Sequence, residues 1–220
     1  MEGIIDNLKI KKVIKTKKIA EILRKVNRLN YCMCSRIIDH PTPIIMGQTI
    51  SAPHIHAMTL EALRNKLVPG AHVLDVGCGT GYLTSCFAYL LNVHKNPNSV
   101  VVGIDIFKEI TELTKMNMIR GDKKVLSSIY GGLNNNNNVH IVHGNGWLGY
   151  DKYAPYDAIN VGASVNVIPT QLIKQLKDGG KMIIPLNGDY LIIRKIKKNY
   201  KVKKISDVRF VPLILQTQKK

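Results

Sequence analysis

Cysteine is scarce in this chain of 220 residues, which contains only Cys32, Cys34, Cys78 and Cys86. Their spacing matches no zinc-binding pattern, so we expect no metal site. Cys78 and Cys86 fall in a glycine-rich turn and in the helix predicted after it. We therefore expect all four cysteines to be free thiols, as is usual in a reducing compartment.

Long apolar runs are also lacking. No stretch is long enough to cross a bilayer, and lysines interrupt the first 18 residues too often for a signal peptide. We therefore expect a cytoplasmic protein with no membrane partner. The hydrophobic content of 45% is still enough for one α/β domain. We expect a single domain over 1–220, with N-terminal helices and an extended segment (1–50) before the main core (51–220).

Acidic residues are few, with 15 Asp and Glu against 32 Lys and Arg, which gives a net charge of +17. A nucleic-acid partner, an acidic substrate, or a general bias toward Lys, Asn and Ile would each explain this excess. Lysines cluster at 9–18 and 195–204, but these clusters are not interleaved with the aromatic residues on which single-strand binders stack bases. We therefore expect no nucleic-acid partner.

The spacing of apolar residues predicts alternating strands and helices from residue 72 onward. We predict strands at 72–76, 100–105, 139–143, 156–161 and 181–186, helices at 82–91, 107–119 and near 169–176, a hairpin at 190–196 and 200–206, and a last strand at 208–215. Helices are predicted before them at 3–11, at 17–29 and after an N-cap at Ser51. The run Asn134 to Asn138 predicts a mobile, low-complexity link. The fold class is α/β, a doubly wound, mostly parallel sheet with antiparallel C-terminal edge strands and extra N-terminal helices.

The most informative motif is the glycine-rich turn in VLDVGCGTGYLTS, residues 73–85. A dinucleotide fingerprint has glycines at its first, third and sixth positions, whereas Gly77, Gly79 and Gly81 are at the first, third and fifth. Asp75 also precedes the first glycine by two residues. These features favour S-adenosylmethionine, whose charged amino-acid tail suits a glycine loop beside a carboxylate. The alternative is a tight turn without a ligand.

Three more features map to the same edge of the predicted sheet, where ligands bind in such folds: Asp105, the segment HGNGW (143–147), and YDAINVGAS (156–164), a strand that runs into Gly162 and small side chains. Asp105 ends the strand VVVGID and could accept both hydroxyls of a ribose, or could cap the next helix. Asn145, in HGNGW, could bind an adenine edge or form an Asn-Gly turn. Ser51, His54 and His56 lie at a loop-to-helix junction that could bind a carboxylate, although a plain N-cap and two structural histidines would explain them too.

Taken together, these residues resemble the protein-L-isoaspartate O-methyltransferase family. The resemblance covers nearly the whole chain, through DNLKIKKVIKT, NRLNY, GQTISAPHIHA, VLDVGCGTGYLT, VVGID, GYDKYAPYDAINVGA and IPTQLIKQLKDGGKMIIPL. The glycine loop alone indicates a class I methyltransferase, and TISAPHIHA is far more specific. The resemblance implies an enzyme that repairs damaged proteins by methylating the free α-carboxylate of L-isoaspartyl residues. S-adenosylmethionine is the donor, S-adenosylhomocysteine is its product, and the methyl ester then converts to a succinimide.

The resemblance also implies the site residues and a monomeric state. The family's active-site serine corresponds to Ser51. The cofactor contacts correspond to Ser51, Ala52, Pro53, His54, His56, Asp75, Gly77, Gly79, Asp105, Ile106, Asn145 and Gly146. Three positions depart from the family pattern, since Asn145 stands where aspartate is common, Ile106 where histidine is frequent, and Ile214 where a threonine follows VPL.

The sequence shows no catalytic triad, and the implied reaction needs none, because a carboxylate is already ionised at pH 7. Two rival functions stay open at this point. A nucleic-acid methyltransferase would fit the charge, but the sequence has no N-P-P-Y or paired-cysteine motif. A non-catalytic binding module with the same fold would fit the three departures.

Overall fold

The structure is a computed structural model that describes residues 1–121 and 138–215. Its helices are α1 (Glu2–Ile10), α2 (Lys17–Lys25), α3 (Pro53–Leu63), α4 (Tyr82–Leu90), α5 (Lys108–Gly121) and α6 (Thr170–Gln175). Its strands are β1 (Thr42–Pro43), β2 (Thr49–Ile50), β3 (His72–Val76), β4 (Val100–Asp105), β5 (Val139–His143), β6 (Tyr156–Val161), β7 (Leu176–Leu186), β8 (Asp189–Ile196) and β9 (Asn199–Asp207). The run Asn134 to Asn138, which is predicted to be a mobile link, lies outside the described residues except for Asn138.

The main sheet runs in the order β5-β4-β3-β6-β7-β8-β9. Strands β5, β4, β3, β6 and β7 are parallel, whereas β8 and β9 are antiparallel and form the C-terminal edge. From β3 the chain builds outward through β4 to β5, then returns to place β6 on the other side of β3. The strand order therefore reverses between β3 and β6, and the carboxyl ends of these strands form the crevice where such sheets bind ligands. The predicted α/β class is confirmed.

The central strands are mostly apolar because helices and loops cover both faces of the sheet. Val73, Val101 and Ala158 face one side and join a core with α1 to α4. Leu74 and Val102 face the other side and join a second core that includes Leu172 of α6. All these strand residues are fully buried, so the strands form a rigid base for the loops at their carboxyl ends.

A buried glutamate joins the N-terminal helices to this base. Oε1 of Glu61, in α3, accepts hydrogen bonds from the backbone N–H groups of Lys15 and Thr16, both at 2.8 Å, and from Thr16 Oγ1 at 3.0 Å. These groups lie just before α2, at its N-cap Thr16 and at the residue before that. Glu61 thereby fixes α2 against α3, which begins at the candidate site.

Some predicted elements differ from the observed ones. Helix α2 ends at Lys25 rather than 29, because Val26 is extended and the Asn27 side chain starts a short 3-10 turn at Arg28–Asn30. Strand β7 begins at Leu176 rather than at the predicted residue 181, so it includes Gly179 and Gly180. The predicted last strand at 208–215 is wrong, since the chain there makes only a single bridge, between Pro212 and Ser164.

The prediction of four free thiols is also wrong for one pair. Cys32 and Cys34 form a disulfide, with their Cα atoms 5.3 Å apart, in the irregular segment after α2. A bend at residues 32 and 33 brings these near neighbours together, which residue spacing alone does not reveal. Cys78 and Cys86 are free and buried, as predicted.

Residues 1–121 and 138–215 contain neither a candidate membrane span nor a candidate metal-binding cluster. No helix in these ranges is both long and apolar enough to span a membrane. These ranges also contain no cluster of three His, Cys, Asp or Glu side chains that could hold a metal ion.

Candidate functional site

The glycine-rich turn after β3 forms the floor of the site. Gly77 has a φ of +70°, in the left-handed region that suits glycine, and its N–H donates to the Ile104 carbonyl of the neighbouring strand at 2.8 Å. Across the crevice, Gly162 follows β6 and donates to the Val76 carbonyl at 2.7 Å. A Cβ at Gly162 would lie only 2.8 Å from the Gly77 carbonyl oxygen. The close approach of these two loops therefore requires glycine at 162.

Asp75 lies in β3 beneath this turn and is 1% exposed. Its Oδ2 accepts from Thr84 Oγ1 at 2.6 Å, and its Oδ1 accepts from Asn160 Nδ2 at 2.8 Å. Burial raises the pKa of Asp75 to about 6, although these two hydrogen bonds act in the opposite direction and nearby Asp105 reinforces the rise. The site thus contains a carboxylate held in one orientation by neighbours on α4 and β6.

Asp105 ends β4 and is 8% exposed. Its Oδ2 accepts from the Gly79 N–H and its Oδ1 from the Phe107 N–H, both at 3.2 Å. The hydrogen bond from Phe107 closes a local turn just before α5. Asp105 therefore partly fulfils the alternative role of capping the next helix. Burial raises the pKa of Asp105, and the backbone hydrogen bonds oppose that rise. The carboxylate is held at the strand end where the sequence predicts a ribose-binding residue.

The HGNGW segment forms a turn after β5. Asn145 Oδ1 accepts from the Trp147 N–H at 2.9 Å, which is the Asn-Gly turn left open as an alternative. The Asn145 side chain therefore shapes the loop with its oxygen and keeps its amide group for other contacts. The next residue, Gly146, is buried and faces the crevice.

The segment before α3 carries the remaining predicted residues. Ser51 is not the N-cap, because Ala52 occupies that position and Pro53 is the first helical residue. The N–H of His54 is instead bound by Oδ1 of Asp39, which also lies 2.9 Å from His54 Nδ1. The Ser51 hydroxyl therefore caps no helix end, and it is left for another role.

Three adjoining cavities line the carboxyl edge of the sheet. We call them the inner cavity, over Asp75 and the start of α4, the outer cavity, over Asp105, and the rim cavity, between α3 and 207–211. Thr49 and Gly162 line all three cavities, so they form one continuous groove. The rim cavity has a volume of about 270 Å³.

Most of the predicted site residues line this groove. The inner cavity has Ser51, His56, Asp75, Gly77 and Gly79; the outer cavity has Gly77, Gly79, Asp105, Ile106 and Gly146; the rim cavity has Ser51, Ala52 and His54. Pro53 and Asn145 line none of the three, since Pro53 is buried as the first residue of α3 and Asn145 forms the turn described above.

Several residues of the site were not predicted. Arg28 is buried behind the inner cavity, Asn160 binds Asp75, and Tyr190 and Phe210 line the inner cavity. Asn160 could have been found, because an amide inside the apolar strand YDAINV is unusual unless it has a partner. Arg28, Tyr190 and Phe210 reach the site only through tertiary packing.

A doubly wound sheet with antiparallel edge strands, a glycine-rich turn after β3 and an aspartate at the end of β4 is the arrangement of a class I, S-adenosylmethionine-dependent methyltransferase. A family model described as protein-L-isoaspartate(D-aspartate) O-methyltransferase matches residues 1–218. The chain belongs to this family. The predicted family, fold, enzyme class and methyl donor are thereby confirmed.

Individual relatives agree with this assignment. The chain is 40% identical to protein-L-isoaspartate O-methyltransferase 2 of Arabidopsis thaliana over 219 residues, covering 96% of this chain and 67% of the relative. It is 37% identical to the Triticum aestivum protein-L-isoaspartate O-methyltransferase, covering 96% and 90%. A crystal structure described as a Plasmodium falciparum protein-L-isoaspartate O-methyltransferase in complex with S-adenosyl-L-homocysteine superimposes with a TM-score of 0.86 at 34% identity, covering 96% of this chain and 97% of that one.

Proposed function

We propose that Ser51 holds the free α-carboxylate of an L-isoaspartyl residue for methylation, and that residues 1–220 act as one repair domain. The observation that carries this proposal is the position of Ser51, which lines both the inner cavity and the rim cavity. A hydroxyl at this junction can donate a hydrogen bond to a carboxylate that enters from the rim. After release, the backbone amide nitrogen that follows the modified residue attacks the methyl ester and displaces methanol, which gives a succinimide.

The outer and inner cavities fit the two ends of the methyl donor. In the outer cavity, the Asp105 carboxylate can accept two ribose hydroxyls, and apolar side chains such as Ile104 and Phe107 suit the flat face of adenine. In the inner cavity, Asp75 supplies negative charge for the ammonium group of the amino-acid tail. We propose that both aspartates, together with the backbone of Gly77 and Gly79 and the walls at Ile106 and Gly146, bind the cofactor.

The reaction requires the protein to do little more than align the acceptor carboxylate with the methyl donor. S-adenosylmethionine supplies a methyl group on a sulfonium sulfur, which leaves as a neutral thioether and needs no proton donor. The acceptor carboxylate is ionised at pH 7, so it needs no base. Ser51 would contribute by holding the acceptor oxygen in place, and the buried walls of the inner cavity would exclude water. Correct alignment of this kind can supply several kcal/mol of barrier reduction, of the order of 7–11 kcal/mol in the best cases.

We further propose that the protein is a cytoplasmic monomer that acts on damaged proteins and peptides without nucleic-acid or membrane partners. The basic surface supports acidic peptides as substrates, since a net charge of +17 attracts them at low salt. Salt would screen this attraction, so kcat/KM should fall as ionic strength rises.

The proposal is tested with two synthetic peptides that differ only in an aspartyl or isoaspartyl linkage, together with a labelled methyl donor. Transfer to the isoaspartyl peptide alone supports the function. Transfer to RNA in a parallel reaction would favour a nucleic-acid methyltransferase, and failure to bind the donor would favour a binding module.

The role of Ser51 is tested with Ser51→Ala. We expect kcat to fall about tenfold or more, because a hydrogen bond to a charged group contributes roughly 1.5–3 kcal/mol. Donor affinity measured by calorimetry should stay nearly unchanged. Ser206→Ala, in the edge strand β9, is the matched control and should keep full activity. Full activity of Ser51→Ala would show that Ser51 does not hold the acceptor carboxylate.

A further inference from the structure

Arg28 is an unusual residue, because it is charged and only 1% exposed. It lies in the 3-10 turn after α2, behind the inner cavity. Its Nη2 donates to the Ser51 carbonyl at 2.6 Å, and its Nη1 lies 2.9 Å from His56 Nδ1. The guanidinium also lies 5.3 Å from the centre of the Tyr82 ring. One side chain thus contacts the segment before α3, α3 itself and α4.

The contact with His56 determines the tautomer of that histidine. A guanidinium has donors and no acceptor, so His56 Nδ1 must accept the hydrogen bond from Arg28. The proton of the neutral ring is then on Nε2. His56 is 8% exposed and lines the inner cavity, so its ring can present an N–H donor to a ligand there.

The surroundings also keep this ring neutral. Burial, then the charge of Arg28, then His54 lower the pKa of His56 well below its usual value. The other titratable groups around the pair are Tyr82 and Cys86 on α4 and Asp39 before β1. The ring therefore acts as a fixed donor and does not switch its charge near neutral pH.

The charge of Arg28 has no carboxylate partner within ion-pair distance in residues 1–121 and 138–215. Its two side-chain hydrogen bonds end on neutral acceptors, a carbonyl oxygen and a ring nitrogen. A buried cation without a counter-ion is costly unless something nearby compensates for it. The adjoining cavity receives carboxylates in the proposed function, and a cation behind its wall favours their binding.

We infer that Arg28 is a positioning residue, which fixes the backbone at Ser51 and the Nε2–H tautomer of His56 through one guanidinium. This inference rests on the function proposed above for the groove, since it assigns a supporting role to the residue behind Ser51 and His56. Arg28 lines none of the three cavities and acts through these two residues.

The tautomer is tested directly in the unmodified protein by 15N NMR of labelled histidine, with the His56 signals assigned by their loss in His56→Gln. We expect the Nδ1 shift of an unprotonated ring nitrogen and the Nε2 shift of a protonated one, unchanged from pH 6 to pH 8. A ring protonated on Nδ1, or a ring that titrates in this interval, would overturn the inference. This measurement needs no substrate, so it is independent of the peptide assay, whose failure would count against the proposed function alone.

The kinetic consequence is tested with Arg28→Met and Arg28→Lys. We expect Arg28→Met to lose up to about 100-fold in kcat/KM, mainly through kcat, because small misplacements of aligned groups have effects of this size. His56 should then show both tautomers. Arg28→Lys restores a cation and should recover part of the rate and the single tautomer of His56. This variant still tests the inference if Arg28→Met is too unstable to purify.

Arg24→Met is the matched control. Arg24 lies one turn earlier, in α2, and forms a partly exposed ion pair with Glu2 at 2.8 Å, so its loss should change neither the rate nor the tautomer. Wild-type kinetics in Arg28→Lys and in folded Arg28→Met would overturn the inference. So would a loss of thermal stability in Arg28→Met while the His56 tautomer is kept, since that pattern describes a purely structural residue.

Discussion

One carboxylate oxygen of Asp39 contacts both the backbone and the side chain of His54. Oδ1 of Asp39 accepts the His54 backbone N–H at 2.9 Å and lies at the same distance from His54 Nδ1. Because Pro53 precedes His54 and has no N–H, this contact satisfies the first free backbone donor of α3. Asp39 therefore acts as a cap supplied from a remote part of the chain, and it fixes the helix start beside Ser51.

We expect Asp39→Ala to lower the free energy of unfolding by about 1 kcal/mol, the usual effect of losing a helix cap. It should also raise KM for an isoaspartyl peptide, because the segment that carries Ser51 loses its anchor. Urea unfolding and steady-state kinetics measure the two effects. Asp39→Asn keeps the acceptor and should recover most of both.

The control for this experiment is Asp6→Ala, which removes an exposed aspartate whose ion pairs with Lys9 and Arg24 span 3.7 Å and 3.6 Å. Exposed pairs of this kind contribute little. Equal losses in Asp39→Ala and Asp6→Ala would show that the Asp39 contact has no special effect.

Asp75 should make stability depend on pH. Its pKa of about 6 in the folded protein exceeds the ordinary value of 3.8, so the folded state binds a proton more tightly than the unfolded state. The associated stabilisation is complete below about pH 4 and is lost as the pH rises through 6. A pKa shift of about two units corresponds to ~3 kcal/mol in the free energy of unfolding.

Asp75→Asn cannot ionise, so its stability should lack this decline. We expect the free energy of unfolding of the variant to gain ~3 kcal/mol relative to the wild type between pH 4 and pH 7. Urea unfolding at several pH values measures the difference. Asp6→Asn controls for the loss of one exposed negative charge, and parallel curves for wild type and Asp75→Asn would refute the prediction.

Asp105→Ala should weaken binding of the methyl donor. If the carboxylate accepts ribose hydroxyls, its loss removes hydrogen bonds to a charged group and should raise Kd roughly 10-fold to 100-fold. Titration calorimetry with S-adenosylhomocysteine gives this value directly. Asp151→Ala, in the turn Asp151–Tyr153 away from the groove, should leave Kd unchanged. An unaltered Kd in Asp105→Ala would refute the ribose assignment.

The parallel strands could be predicted because their physical cause is local. Val73, Leu74 and Val76 are apolar without alternation, as expected when both faces of a strand are buried, and the observed bounds of β3 match the predicted ones. The glycine spacing and the aspartates at 75 and 105 likewise follow from what a close backbone turn and a ligand at the strand ends require.

The other features of the site could not be predicted, because they depend on contacts between distant parts of the chain. Arg28 looks like one more surface cation in a lysine-rich sequence, and only the packing of α3 and α4 around it makes it a buried residue. Ser51 matches an N-cap in spacing, but Asp39 binds the first free N–H of α3 from 15 positions away in sequence. Neither arrangement leaves a periodic signal.

Asn145→Asp tests the departure from the family pattern in HGNGW. The Asn145 oxygen already accepts from the Trp147 N–H, and aspartate keeps that acceptor, so the stability should change by less than about 0.5 kcal/mol. Asn145→Ala loses the acceptor and should cost about 1 kcal/mol. If residue 145 also faces the adenine amine of the bound donor, the aspartate should tighten binding several-fold through a charge-assisted hydrogen bond, measured as Kd by calorimetry. Identical Kd values for the wild type, Asn145→Asp and Asn145→Ala would instead limit this residue to shaping the turn.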